Sequence, residues 1–125
     1  MKPGEQGVAR VISATRYSFQ GMRAAWQYEA AFRQEVVLFM AGVPLAAWLA
    51  ATHIEFLLLV LPLLLVLLAE LANSAVECIV DRLTADQDEL AGRAKDMGSA
   101  VVFIALSSAG LTWSVIAAMR LMGFR

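Results

Sequence analysis

The chain has 125 residues, 60% of them hydrophobic, with a mean hydropathy of +0.67 and a formal net charge of −1. A soluble domain carries about half apolar residues and needs a polar shell, so the composition excludes an ordinary soluble enzyme and fits one integral membrane domain over residues 1–125. Cys78 stands alone, which excludes an intrachain disulfide; the net charge says little about partners, and no nucleic-acid partner is expected.

The N-terminal "MKPGEQG" is polar and has no apolar h-region, so no cleaved signal peptide is expected. In "VARVISATRYSFQGMRAAWQYEAAF", Val8, Val11, Ile12 and Thr15 recur at helical spacing while Arg10 and Arg16 fall elsewhere on the wheel. The pattern predicts a helix over about residues 6–26 that lies on the inner membrane surface, with Gly21 as a break before the first span.

Three charge-free runs follow, at 36–51, 56–69 and 97–119. A hydrocarbon core of about 30 Å takes roughly 20 helical residues. The third run suffices alone, whereas the first two must recruit polar residues, and both recruit toward the same side. The spans are therefore placed at about 29–51, 55–81 and 93–120. The short "ATHIE" link makes the first two an antiparallel hairpin, and Pro44 and Pro62 lie inside them. Every Lys and Arg except Arg120 and Arg125 falls on the side of the N-terminus and the second link. The positive-inside rule puts that side in the cytoplasm. Trp48, Phe56 and Trp113 then approach the outer interface, and the small residues of "MGSA" and "ALSSAG" suit close helix packing.

Acids interrupt this apolar plan. Counted inward at about 1.5 Å per residue, Glu70 lies about 21 Å from Phe56 and Glu77 about 31 Å. Counted back from Ala51, Glu35 lies about 24 Å across and Glu29 about 33 Å. Glu29 and Glu77 thus share the inner edge, where Lys95 and Asp96 also fall, and Glu35 and Glu70 share a deeper level. Glu70, Asn73, Glu77 and Asp81 are spaced 3, 4 and 4, which is one stripe of a helix. Such a stripe faces protein or water rather than lipid.

Two carboxylates at the water boundary suit Mg²⁺ together with phosphate oxygens, and Arg10 and Lys95 suit a polyanion. A deeper carboxylate suits removal of a proton from a hydroxyl, and a hydroxyl at that depth belongs to a lipid. The blander readings are an Asp81–Arg82 wet helix end, a Glu29–Arg33 helix-surface pair, and Asn73 as an interhelical hydrogen bond. Tyr17 and Trp26 read equally as interfacial anchors, Ser99 as a packing residue, Trp48 and Trp113 as belt residues, and His53 as solvated. No G-x-x-x-x-G-K-[ST] or G-x-G-x-x-G motif signals a soluble nucleotide-binding fold.

"EAAFRQE" (29–35), "ELANSAVECIVDR" (70–82) and "GRAKDMGSA" (92–100) resemble the signature blocks of the prokaryotic diacylglycerol kinases, and the resemblance covers nearly the whole chain. It implies an all-α homotrimer of three-span subunits with an amphipathic surface helix, composite active sites, and transfer of the γ-phosphate of MgATP to sn-1,2-diacylglycerol. Carried over, it implies Glu70 as the base, Glu29 and Glu77 as metal ligands that also hold the nucleotide, and Arg10 and Lys95 on phosphates. Tyr17, Asp96, Asp86, Gln87 and Asp88 would border the nucleotide, and Asn73 would support the reacting centre. Lipid contacts would come from Arg10, from Ala14, Thr15, Arg16, Tyr17, Ser18 and Phe19, and from Arg23, Ala24, Ala25 and Trp26. Further contacts would come from Ala31, Phe32, Arg33, Gln34 and Glu35, and from Trp48, Phe56, Glu70, Ser99 and Trp113. The loop "ADQDE" departs from relatives that carry an aromatic residue and a histidine there, so stacking on the base is lost. An undecaprenol kinase of the same fold, or a small proton-coupled transporter built around Glu70, are the competing readings.

Overall fold

The computed structural model describes residues 3–84 and 88–123. They form four helices, α1 (Gly7–Tyr28), α2 (Ala30–Leu49), α3 (His53–Leu83) and α4 (Glu89–Leu121), with no strand among the described residues. The last three are long and apolar enough to cross a membrane. Asp86 and Gln87 lie outside the described residues.

Gly21 does not break α1, contrary to expectation. A single glycine costs a helix about 1 kcal/mol, and the helix continues through it to Tyr28. The break falls instead at Glu29, whose extended backbone (φ −116°, ψ 106°) ends α1 and begins α2. Arg33 braces this joint. Its guanidinium donates to the carbonyls of Trp26 at 2.8 Å and Gln27 at 3.3 Å, at the end of α1. The blander reading of a Glu29–Arg33 surface pair does not hold: Arg33 bridges two helices, whereas an i,i+4 pair needs one continuous helix.

At the opposite end of the bundle, α3 starts in a capping box. Thr52 accepts from the Glu55 backbone N–H, and the Glu55 carboxylate accepts from the Thr52 N–H. The same carboxylate accepts from Ala51 N–H at 2.6 Å and pairs with Arg120 of α4. Arg120 Nε also donates to the Leu49 carbonyl at 3.1 Å. One arginine thus ties the ends of α2, α3 and α4 together, and its charge is answered locally. That explains why a basic residue is tolerated on the side that the charge distribution assigns to the outside.

Helices α3 and α4 pack most extensively. Leu63, Val66 and Ala69 of α3 meet Ala105 and Ala109 of α4, with Phe39 and Trp113 at the margin. Lipid tails are as apolar as leucine, so close packing rather than exclusion from water drives this association. Ala105 and Ala109 bring α4 near, but Gly110 has open space around it. Of the small residues expected at the contact, the glycine buried against α3 is Gly98. Trp113 Nε1 donates to the Leu59 carbonyl at 2.9 Å, one residue beyond the Leu58 carbonyl that Pro62 deprives of its helical donor. Trp113 therefore pairs α4 with α3, beyond the belt role read from the sequence.

Glu55→Gln should lower the unfolding midpoint in detergent micelles, because it removes the charge facing Arg120. A midpoint equal to that of the unaltered protein would mean that the three helix ends are held by other contacts.

Candidate functional site

The stripe read from sequence is turned inward. Glu70 is 6% exposed, Asn73 9% and Ser74 7%, whereas Glu77 is half-buried. The neighbours Leu68, Ala72 and Ile79 are exposed, so the acids take the face that the apolar residues give up. Asn73 Nδ2 donates to Glu77 Oε1 at 3.3 Å, one turn along the helix. Neither described ion pair involves Glu70. Of the four carboxylates that the depth count puts toward this side, Glu70 is buried and Glu29, Glu35 and Glu77 are half-buried.

Glu29 arrives by a different route. It occupies the N-cap position of α2, yet its side chain makes no capping hydrogen bond. It lines a cavity of about 510 Å³ between α1 and α3 together with Ser18, Ala25, Tyr28, Ser74 and Cys78. The walls are mostly apolar, and the enclosed Ser74 hydroxyl has no hydrogen-bond partner. Ser18, Ala24 and Ala25 belonged to the expected lipid contacts. Leu71, Ser74, Ala75 and Cys78, which form the α3 wall, did not. Their helical spacing on α3 is regular, but nothing in the sequence says that α1 folds back along this face.

From α4, Lys95 Nζ lies 2.6 Å from Asp81 Oδ1. Asp81 is exposed near the end of α3, as a solvated helix end would be, and it also pairs with Lys95 beside the acidic stripe. Asp96 and Ser99 are exposed on either side of buried Gly98. On α1, Arg10 and Tyr17 are exposed, and the Arg16 guanidinium stands 5.5 Å from the Tyr17 ring centroid. Asp88 caps α4 by accepting from the Leu90 N–H at 3.1 Å, so part of its carboxylate is committed to the backbone.

The structure does not bring every expected residue to Glu70. Trp48, Phe56 and Trp113 lie toward the end of the bundle that holds Arg120 and Glu55. Phe56 and Trp113 pack against the Ala46, Leu59 and Ile116 cluster, and Trp48 lines a cavity of about 400 Å³ with Arg120. Phe32 is buried and Gln34 exposed, while Arg33 serves the α1–α2 joint.

Comparison with known proteins gives one consistent result. Residues 16–117 match the family model for prokaryotic diacylglycerol kinase. The chain is 48% identical over 110 residues to the diacylglycerol kinase of Escherichia coli strain K12, covering 88% of this chain and 90% of that protein. The Haemophilus influenzae diacylglycerol kinase is 47% identical, with 88% and 93% covered. That of Pseudomonas aeruginosa is 43% identical over 113 residues, with 90% and 92% covered.

The Lys95–Asp81 pair is solvated, with side-chain exposures of 44% and 65%. Asp81→Asn should therefore leave the unfolding midpoint nearly unchanged. A larger loss by denaturant titration would make the pair a brace of the α3–α4 crossing instead of a local anchor for Lys95.

Proposed function

The chain belongs to the prokaryotic diacylglycerol kinase family, and from that premise we propose how its residues divide the work of a lipid kinase. The enzyme moves the γ-phosphate of ATP to the hydroxyl of diacylglycerol, giving phosphatidic acid and ADP. The observation that carries the division of labour is the enclosure of Glu70, 6% exposed, seven residues from the half-buried Glu77. At about 1.5 Å per residue the two acids sit about 10 Å apart along the axis, too far to share one ion directly.

Glu70 accepts the proton of the lipid hydroxyl. The lipid oxygen then bonds to the γ-phosphorus as the bond from phosphorus to the ADP oxygen breaks. A carboxylate with no described ion pair is suited to this, since no adjacent cation holds its charge. Glu29 and Glu77 suit Mg²⁺ entering with ATP: neither carboxylate is tied up in a described ion pair or a helix cap. Among the described residues no group of three or more His, Cys, Asp or Glu forms a metal cage. The remaining ligands are then phosphate oxygens and water, the usual Mg²⁺ arrangement. Bound there, the ion would offset negative charge on the phosphates.

Arg10 and Lys95 contact phosphates, with Lys95 passing from Asp81 to the nucleotide. Tyr17, Asp96 and the 86–88 loop border the base and ribose. Residues 14–19, 23–26 and 31–35, with Ser99, hold the acceptor lipid near the inner interface, and Trp48, Phe56 and Trp113 flank its outer path. α1 lies on the cytoplasmic surface of the inner membrane, supported by its exposed Val8, Val11, Ile12 and Phe19 among arginines. Three subunits complete composite sites. The exposure of Asp96 and Ser99 beside the buried stripe leaves room for a neighbour to add residues. The relatives' names favour the diacylglycerol reading over undecaprenol, and family membership leaves no role for a transporter.

In mixed micelles with Mg²⁺ and γ-labelled ATP, label should pass to diacylglycerol well ahead of undecaprenol. No labelled lipid from properly inserted protein would sink the reading. Glu77→Gln should raise the KM for MgATP several-fold, and an unchanged metal requirement would contradict its role.

A further inference from the structure

The buried amide of Asn73 has two chemically different ends, and the structure assigns each a neighbour. Nδ2 donates to Glu77 Oε1 at 3.3 Å. Oδ1 is enclosed and has no hydrogen-bond partner. An ionised carboxylate only accepts, so the NH₂ end must face Glu77 and the oxygen must face away, toward α4. The residue it meets there is Gly98. A Cβ placed on Gly98 would collide with Asn73 Oδ1 and lie 3.3 Å from its Cγ and 3.8 Å from its Cα. Gly92 and Gly110 lie on the same helix, yet a Cβ on either would meet nothing within 4 Å. Gly98 has no positive φ that would require glycine for its backbone. Space against Asn73 is what the missing side chain provides.

Resting on the reading that Glu77 serves MgATP, we propose that Gly98 is a positioning residue for the reaction: its bare backbone seats the Asn73 carboxamide so that Nδ2 stays on Glu77. Asparagine has a short side chain, and its own Cα is also close to the position a Cβ would take. It cannot swing clear as the end of a lysine or methionine could. Any side chain at position 98 therefore either turns the amide off Glu77 or pushes α4 away from α3. A buried carbonyl oxygen left unpaired is unfavourable, so the contact is kept for what the other end of the amide does.

A double-mutant cycle tests this. Gly98→Ala should lower kcat/KM for MgATP by about tenfold, within the coupling range for residues in contact. The loss should fall mainly on the KM for MgATP, with the KM for diacylglycerol unchanged. In an Asn73→Ala background, which has no carboxamide to strike, Gly98→Ala should cost less than about twofold more. Gly110→Ala, where the new Cβ meets open space, should match the unaltered protein. Additive losses from Gly98→Ala and Asn73→Ala would overturn the proposal, as would a Gly98→Ala enzyme with unaltered kinetics. If Gly98→Ala alone does not fold, the Asn73→Ala/Gly98→Ala pair should recover insertion and a normal unfolding midpoint, and its failure to do so would equally overturn it. A non-additive cycle whose loss falls on kcat alone supports the positioning role and contradicts the assignment of Glu77 to MgATP.

Discussion

A carboxylate inside a membrane span cannot face lipid, and that constraint organises the molecule. Glu70 lies in α3 beyond a long apolar run, so one face of α3 must be covered by protein. The cover comes from α4, α2 and the returning α1. Because α4 covers the stripe through small residues, its backbone comes close enough for Gly98 to touch the Asn73 amide. Because α1 folds back at Glu29, a fourth carboxylate reaches the same end of the bundle. The acids are therefore the reason for the packing as much as a product of it. At the other end, Arg120 and Glu55 solve the same problem in the simplest way, by pairing.

The two ends behave differently for a physical reason. A closed pair such as Arg120–Glu55 has its charges satisfied and holds helices in place. Glu70 has no such partner among the described ion pairs. A structure keeps an enclosed acid of that kind only where the surrounding packing pins it, and it is the state in which a carboxylate is useful as a base. The cavity beside Glu29 and Ser74 adds an apolar wall next to this acidic cluster. A substrate with a hydroxyl head and an acyl tail needs that combination.

Much of this was legible in the sequence because helical spacing and depth are arithmetic. The 3, 4, 4 spacing put Glu70, Asn73, Glu77 and Asp81 on one face, and the structure buries or half-buries the first three. The four helices and three apolar spans followed from run lengths and the surface-helix pattern. What failed or was missed depended on partners distant in sequence or on fine geometry. Gly21 carried a glycine's helix-breaking tendency, but the break fell at Glu29, where α1 must turn into the bundle. Arg33 looked like a partner for Glu29, but that required a continuous helix. Arg120 looked like an exception to the charge rule because Glu55 is 65 residues away. Gly98 and Gly110 read alike as small residues, and only the crossing of α4 over Asn73 separates them.

The central claim is that Glu70 acts in the transfer step and not in holding the nucleotide. Single-turnover transfer from pre-bound γ-labelled MgATP to diacylglycerol, measured for Glu70→Gln beside nucleotide affinity, tests it most directly. The account predicts unchanged MgATP affinity with transfer slowed by about 10²–10⁴-fold, the range for loss of a positioned base. Transfer at the unaltered rate, or a loss that appears only as weaker MgATP binding, would contradict it.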